Sequence, residues 1–250
     1  MISRFLFVGH RGTRTHFDEN TLEAFEIALN YGANYIEFDI RELKDGNLIA
    51  IHDSSLERTT NGSGLIKDYN YSEIINLNTR NRNRKIPLLD EVLENFKNKS
   101  NFIIELKDVN SWKEVIDIVI KKQLILKTIF SGRNLGMLKL IKTAVPKAQV
   151  CYNITKGQGF TLKDFLENRN IGKLALIPDI ISLRSNLIEK EFIEKCHKHN
   201  ILTLAWDFIN YKSPIEKIKY LIDLGIDGIL FDDYRNIRFI KYYLSVNHFL

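Results

Sequence analysis

Cysteine is scarce in this sequence, with only Cys151 and Cys196 among 250 residues. Two cysteines make neither a disulfide framework nor the clustered ligand spacing of a zinc site. We therefore expect both to be buried free thiols, which suits a reducing compartment.

Long apolar runs are absent as well. No segment reaches the roughly 18 uninterrupted apolar residues that a membrane-spanning helix needs. The stretch before His10 is too short for a signal peptide, and its removal would destroy the motif that begins at His10. The sequence therefore predicts a cytoplasmic protein without stable membrane insertion.

The charge balance is basic, with 36 Lys and Arg against 31 Asp and Glu and a net charge of +5. Such a balance is compatible with nucleic acid, a membrane surface or an anionic small molecule as partner. The basic residues are dispersed, and their densest cluster, residues 80–85, has no interleaved aromatic residue. We therefore do not expect a nucleic-acid partner, and nothing in the pattern indicates an oligomeric state.

Strand and helix patterns alternate along the chain. Eight segments rich in β-branched and aromatic residues predict strands at residues 5–9, 33–40, 101–106, 128–131, 149–153, 179–183, 202–206 and 228–231. Helical spacing predicts helices after Thr21, near 88–96, and at 112–122, 135–144, 162–168, 187–199 and 215–224. Such alternation implies a parallel sheet. Because about 250 residues is the usual size of a (β/α)8 TIM barrel, we expect one domain over residues 1–250, with an insertion at about 54–100.

The residues able to carry chemistry concentrate between Val8 and Gly64. His10 and Arg11 follow the first strand, at the end where the catalytic groups of such barrels lie. Glu37 and Asp39 alternate along the second strand and so point to the same side. Two buried carboxylates are costly unless a cation or hydrogen bonds offset the burial.

A hairpin should bring His52 to these carboxylates. Asp45 and Gly46 have the sequence of a two-residue hairpin turn, which a returning strand at residues 48–51 follows. If the turn is centred there, Asp39 lies opposite His52, with Cβ atoms about 4.5–5.5 Å apart. Further along, Glu105 and Lys107 share one face of the third strand; their plain alternative is a surface ion pair worth about 0–1 kcal/mol.

Each of these features has an ordinary structural explanation, such as a capping histidine or a solvent-facing carboxylate. Two histidines, paired carboxylates and an arginine beside the first histidine are, together, the parts of a metal-assisted phosphoryl-transfer site. Their convergence within one stretch favours that interpretation.

The same stretch resembles the signature of the glycerophosphodiester phosphodiesterase family. The resemblance rests on His10-Arg11-Gly12, Glu19-Asn20-Thr21, Gly32-Ala33, Glu37-x-Asp39, Asp45-Gly46, His52-Asp53 and Arg58-Thr59-Thr60-x-Gly62, and it continues at residues 86–93, 104–107, 205–206 and 225–229. It implies a TIM barrel that hydrolyses glycerophosphodiesters to glycerol 3-phosphate and an alcohol. It also implies that the segment after the second strand folds over the mouth and contacts the alcohol part of the substrate.

Roles for individual residues follow from this reading. His10 and His52 are the predicted acid–base pair, because imidazole titrates near neutral pH; which one is the base, and whether water or a substrate hydroxyl attacks, stays open. Glu37, Asp39 and Glu105 form an all-oxygen set that suits one Mg²⁺ or Ca²⁺ ion rather than zinc.

The phosphate and the rest of the substrate need further partners. Arg11 and Lys107 are predicted to bind the phosphate, Arg11 as a two-nitrogen fork. Trp206 ends the seventh predicted strand, where it either contacts substrate or caps the barrel core.

Two alternatives remain. Relatives with the same barrel and histidine pair cleave lysophospholipids or sphingomyelin in a phospholipase D type reaction. An alternative of a different class is a barrel that binds phosphodiesters without turnover.

Overall fold

A computed structural model describes residues 5–155, 159–167 and 176–247. Within these ranges one sheet contains nine strands: β1 (Leu6–Gly9), β2 (Tyr35–Glu42), β3 (Leu48–Ala50), β4 (Asn101–Leu106), β5 (Thr128–Gly132), β6 (Gln149–Asn153), β7 (Ile180–Arg184), β8 (Leu202–Trp206) and β9 (Gly228–Phe231). The order is β1-β9-β8-β7-β6-β5-β4-β2, and a β1–β2 pairing closes the circle. These eight strands are all parallel, whereas β3 pairs antiparallel to β2. The predicted TIM barrel is confirmed.

Helices surround the barrel. The described helices are α1 (Leu22–Asn30), α2 (Tyr71–Ile74), α3 (Leu89–Phe96), α4 (Trp112–Lys121), α5 (Leu135–Ala144), α6 (Leu162–Glu167), α7 (Lys190–Lys198), α8 (Pro214–Asp223) and α9 (Arg235–Val246). Most follow the predicted spans, although the last residue of the predicted 162–168 helix lies outside the described residues. α7 begins later than predicted because Ser185–Leu187 forms a separate 3-10 turn, and α9 was not predicted. Among the described residues, no helix is both long and apolar enough to cross a membrane.

Apolar side chains fill the barrel in alternation along its strands. The interior cluster is Leu6, Val8, Ile103, Ile129, Cys151, Ile180, Leu204 and Leu230, and a larger cluster lies between barrel and helices. Cys151 and Cys196 are both buried free thiols, as predicted, and burial raises the pKa of each thiol. In the parallel register of β2 and β4, Glu37 lies beside Ile103 and Asp39 beside Glu105. The sheet thus places carboxylates directly above apolar residues of the interior.

The β2–β3 hairpin differs from the prediction. Its pairs are Ile40–Ala50, Arg41–Ile49 and Glu42–Leu48, and the Ile51 N–H donates to the Asp39 carbonyl at 3.0 Å. Asp39 is therefore level with Ile51, and the predicted cross-strand pair of Asp39 and His52 is wrong by one position.

The turn explains the shift. The Leu43 N–H donates to the Asn47 carbonyl at 2.8 Å, which encloses three residues rather than two. Gly46 has a φ of +81°, the left-handed conformation that ends a three-residue hairpin loop.

The insertion after β3 and the β2–β3 hairpin together form a third apolar cluster. It consists of Leu43, Ile49, Ile51, Leu56, Ile66, Ile74 and Ile86. Because hairpin residues are part of this cluster, the insertion fixes the loop that carries His52.

Candidate active site

A pocket opens at the carboxyl ends of the barrel strands. Its lining includes seven of the eight predicted site residues: His10, Arg11, Glu37, His52, Glu105, Lys107 and Trp206. The empty volume is about 470 Å³, open solvent at the mouth included. The eighth residue, Asp39, is only 1% exposed and contacts residues of the lining.

Glu37, Asp39 and Glu105 form the acidic cluster of this pocket. Each offers an oxygen within 4.8 Å of the others. Burial, followed by the charges of Asp39 and Glu105, raises the pKa of Glu37 well above its usual range. Burial acts in the same direction on Asp39, but the charges of Lys107 and Arg11 outweigh it and hold the pKa of Asp39 below its usual range.

Lys107 is the ammonium group of this cluster. Its Nζ lies 2.8 Å from Asp39 Oδ1 and 2.6 Å from Glu105 Oε1. Both contacts have the distances of ion pairs, so the ammonium of Lys107 lies between the two carboxylates.

Arg11 has a φ of +52°, and this left-handed backbone turns its N–H toward Glu37 Oε2, at 2.8 Å. Its Nη1 donates to Glu19 Oε1 at 2.9 Å, and its Nε lies 3.1 Å from Asp39 Oδ2. Two guanidinium nitrogens thus face carboxylates. The two-nitrogen contact with phosphate stays a prediction.

His10 is oriented by a residue that sequence reasoning missed. Its Nδ1 lies 2.7 Å from Asp232 Oδ1, and Asp232 also accepts from Arg14 Nη1 at 3.0 Å and from the Phe208 N–H at 2.6 Å. Burial would raise the pKa of Asp232, but the hydrogen bond and charge of His10 outweigh it and lower the pKa. The contact assigns the ring proton to Nδ1 and leaves Nε2 for the pocket. The available sequence signal was a carboxylate directly after the last strand, at the catalytic end of the barrel.

His52 reaches the pocket from the loop after β3. Its Nδ1 lies 2.6 Å from Asp53 Oδ1, and its carbonyl accepts from Arg41 Nε at 2.9 Å. Burial lowers the pKa of His52, and the charges of Lys107 and Arg11 act in the same direction, while Asp39 opposes them. In both imidazoles, therefore, Nδ1 contacts an aspartate carboxylate.

The Glu19-Asn20-Thr21 motif supports the site from behind. Asn20 Nδ2 donates to Asp39 Oδ2 at 3.0 Å, and Thr21 accepts from the Ala24 N–H to cap α1. Asn20 has a φ of +59°, so this turn aims its amide at the acidic cluster. Sequence reasoning used Asn20 as part of the family motif and did not place its amide at the acidic cluster.

A polar wall lies elsewhere along the pocket, on β5 to β7. It includes Ser131, Asn153 and Ser182, and Ser131 Oγ donates to Asn153 Oδ1 at 3.0 Å. Trp206 lines the pocket and packs on the interior cluster, with the Arg184 guanidinium 4.9 Å from the centre of its ring system. Both readings of Trp206, substrate contact and core cap, are compatible with this position.

A closed (β/α)8 barrel with two aspartate-bound histidines and an acidic cluster at its mouth defines a barrel hydrolase with the parts for phosphodiester cleavage. Residues 10–235 match the glycerophosphoryl diester phosphodiesterase family, and the chain belongs to this family. It is therefore an enzyme that hydrolyses phosphoric diesters.

Known phosphodiesterases are similar to this chain over nearly its full length. The chain is 30% identical over 250 residues to a glycerophosphodiester phosphodiesterase of Caldanaerobacter subterraneus, covering 91% of this chain and 94% of the relative. Its structure is similar to a glycerophosphodiester phosphodiesterase from Thermotoga maritima (TM-score 0.75, 28% identity, 95% and 98% of the two chains). It is also similar in fold to an Oleispira antarctica phosphodiesterase in complex with its product sn-glycerol-3-phosphate (TM-score 0.80, 21% identity, 95% and 96% covered).

Proposed function

We propose that the chain hydrolyses glycerophosphodiesters to glycerol 3-phosphate and an alcohol, with His10 and His52 as the acid–base pair and one divalent cation held by Glu37, Asp39 and Glu105. The observation that carries the proposal is the lining of one pocket by both imidazoles, each on its own aspartate. The product bound by the Oleispira relative supports glycerol 3-phosphate as the product here.

The acidic cluster fits a hard cation. All three side chains offer oxygen, the donor that Mg²⁺ and Ca²⁺ prefer, and one oxygen of each lies within 4.8 Å of the others. Burial raises the pKa of Glu37 most, and the charges of Asp39 and Glu105 raise it further. A bound cation would supply the positive charge that this cluster and a phosphodiester both need.

The remaining charge of the phosphate faces Lys107 and Arg11. Both groups already neutralise carboxylates in the pocket, which holds them in fixed positions. Fixed donors stabilise the charge of a transition state without reorganising.

Proton transfer falls to the imidazoles. One Nε2 takes the proton of the attacking hydroxyl, and the other donates a proton to the leaving alkoxide. Asp232 and Asp53 each favour a proton on Nδ1 of the ring they contact. The base then starts as a neutral ring with Nε2 free, and the acid starts as an imidazolium that also carries a proton on Nε2.

The experiment is a measurement of glycerol 3-phosphate release from glycerophosphocholine and glycerophosphoethanolamine, before and after exhaustive EDTA treatment. We expect loss of activity with EDTA and recovery with Mg²⁺ or Ca²⁺. Full turnover after chelation would refute the cation requirement, and no turnover with any cation would favour a barrel that only binds phosphodiesters.

An apolar groove favours a second candidate, the cleavage of lysophospholipids. Ile154, Leu162, Leu166 and Leu187 line this groove, and Thr155 lines both the groove and the catalytic pocket. An acyl chain could lie here while the phosphodiester occupies the pocket. A Leu166→Glu variant should then lower kcat/KM for lysophosphatidylcholine and leave that for glycerophosphocholine unchanged; equal effects on both substrates would reject this candidate.

A further inference from the structure

The function described above leaves one motif without a role, Arg58-Thr59-Thr60. Arg58 lies in the loop that follows His52, and its guanidinium holds the Asp53 carboxylate by two hydrogen bonds: Nε to Oδ2 at 2.5 Å and Nη2 to Oδ1 at 3.0 Å. Asp53 is the partner of His52 Nδ1. Arg58 therefore fixes the group that orients His52.

Arg58 also reaches the loop after β1. Its Nη2 donates to Glu19 Oε1 at 2.6 Å, and the same oxygen accepts from Arg11 Nη1 at 2.9 Å. Asp53, Arg58, Glu19 and Arg11 thus form a continuous chain of ion pairs, here called the Arg58 bridge. It joins the loop that carries His52 to the loop that carries His10 and Arg11.

We propose that Arg58 is a positioning residue for catalysis: it sets the orientation of His52 through Asp53 and ties the two histidine-bearing loops together through Glu19. The inference rests on the proposed role of His52 in proton transfer. A two-point contact between guanidinium and carboxylate fixes direction as well as distance, whereas a single-point ammonium would not.

The surroundings of His52 explain why such a tie is needed. Asp39 on β2, Lys107 after β4 and Arg11 after β1 all act on its charge, and Asp53 is its hydrogen-bond partner on its own loop. Without Arg58, the Asp53 carboxylate loses the two hydrogen bonds that fix its direction. His52 would then sample orientations that do not face the phosphorus.

The exposure of the Arg58 side chain distinguishes a positioning role from a contribution to stability. The Arg58 side chain is 48% exposed, and ion pairs with so exposed a member add little to stability. The chain offers a matched control in Arg84, which is also 48% exposed, lies in the same insertion and makes a two-point contact with Glu23. The two arginines differ in what their carboxylate partners touch.

The test compares Arg58→Ala, Arg58→Lys and Arg84→Ala in steady-state hydrolysis of a glycerophosphodiester and in thermal unfolding. We expect Arg58→Ala to lower kcat about 10- to 100-fold, since small misplacements of reacting groups have effects of this size, with KM changed by less than about twofold. Arg58→Lys should recover only part of the loss. Both alanine variants should unfold at similar temperatures, and Arg84→Ala should keep native kcat.

Two further readouts respond only to positioning. Added guanidinium at non-denaturing concentration should restore activity to Arg58→Ala, because the vacated site is open to solvent, and should not change Arg84→Ala. In an Asp53→Asn background, Arg58→Ala should lower kcat by much less than it does in the native protein, because the two changes share the route through Asp53 to His52 and only the contact with Glu19 is left to lose.

Native kcat in Arg58→Ala, or losses that multiply in the double variant, would overturn the inference. A loss confined to KM would instead make Arg58 a substrate contact. If His52→Ala is itself fully active, the proposed function fails first; if His52→Ala is inactive and Arg58→Ala matches Arg84→Ala, only the Arg58 inference fails.

Discussion

The two pocket histidines contact aspartates with different surroundings. Asp232 is 3% exposed and accepts three hydrogen bonds from protein groups, whereas the Asp53 side chain is 25% exposed. The hydrogen bond from Arg58 contributes most to lowering the pKa of Asp53, to about 2. Both aspartates therefore remain charged when their imidazoles change protonation.

The first prediction concerns the histidine pair. His10→Ala and His52→Ala should each lower kcat by much of the roughly 10²–10⁴-fold that a positioned acid or base supplies, and the double variant should lose far less than the product of the two. A diester with a p-nitrophenolate leaving group needs little protonation, so it should restore only the variant that lacks the acid. Near-native turnover of the natural diester by both single variants would contradict the assignment.

The second prediction concerns Asp232→Asn. An amide cannot accept from His10, Arg14 and the Phe208 N–H together, so one buried group loses its partner, at a cost of about 1–3 kcal/mol at pH 7. The sign with pH follows from the lowered pKa of Asp232 in the folded state. The stability that this carboxylate contributes is present above its unfolded pKa of about 3.9 and is lost as the pH falls through the lower folded value.

Urea unfolding of both proteins from pH 7 to pH 3 measures this difference. We expect the difference in free energy of unfolding between the native protein and Asp232→Asn to become smaller below about pH 4. An advantage that grew toward acid pH would contradict the charged state assigned to Asp232.

At the scale of secondary structure, the sequence was most informative where apolar runs end at clear turn residues. β4, β6, β8 and β9 begin and end at the predicted residues. α9 was missed because Tyr234, at its N-cap, gives no side-chain capping signal, although Ile237, Ile240 and Leu244 have helical spacing.

Sequence reasoning named side chains that the structure places around one pocket, and it missed the residues that support them. His52 reached the pocket even though the hairpin register was wrong, because the loop after β3, rather than the ladder, positions it. Asp232 lies 222 residues from His10, and such a contact leaves no local pattern. The roles assigned to the eight site residues stay predictions until variants are measured.

The third prediction compares two glycines in left-handed conformations. Gly46 has a φ of +81° with nothing within 4 Å of an added Cβ, so Gly46→Ala should cost only backbone strain of about 1–2 kcal/mol and keep activity. Gly12 has a φ of +75°, but an added Cβ would lie 2.5 Å from the backbone carbon of Ala24 in α1. Gly12→Ala should therefore cost more and displace the turn that carries His10 and Arg11.

Urea midpoints and kcat for the two variants test this comparison. If Gly12→Ala lost no more stability and no more activity than Gly46→Ala, the contact between residue 12 and α1 would be unimportant.

At the scale of the whole molecule, the barrel combines an apolar interior with buried carboxylates at its mouth. Glu37 and Asp39 are 2% and 1% exposed, which is unfavourable for charged groups unless they are paired or bind a metal. Lys107 and Arg11 offset part of this cost, yet the pKa of Glu37 is still raised. The assignment of residues 1–250 to one domain and the cytoplasmic location stay predictions.

The last prediction is that a divalent cation stabilises the whole fold through this cluster. A ligand that binds only the folded state adds about 2.7 kcal/mol at 100 times its Kd, which for a chain of this size raises Tm by roughly 5–10 °C. Differential scanning calorimetry of the EDTA-treated protein with increasing Mg²⁺ or Ca²⁺ should show this rise.

Two variants make the experiment specific. Glu37→Gln, which removes one charge at nearly constant volume, should abolish most of the shift and should leave the cation-free protein at least as stable, because it relieves the repulsion with Asp39 and Glu105. Glu94→Gln, at an exposed carboxylate that pairs with Lys122, should keep the full shift. An equal rise in Tm for both variants would mean that the cation acts elsewhere on the protein and that the acidic cluster of the barrel mouth is not its site.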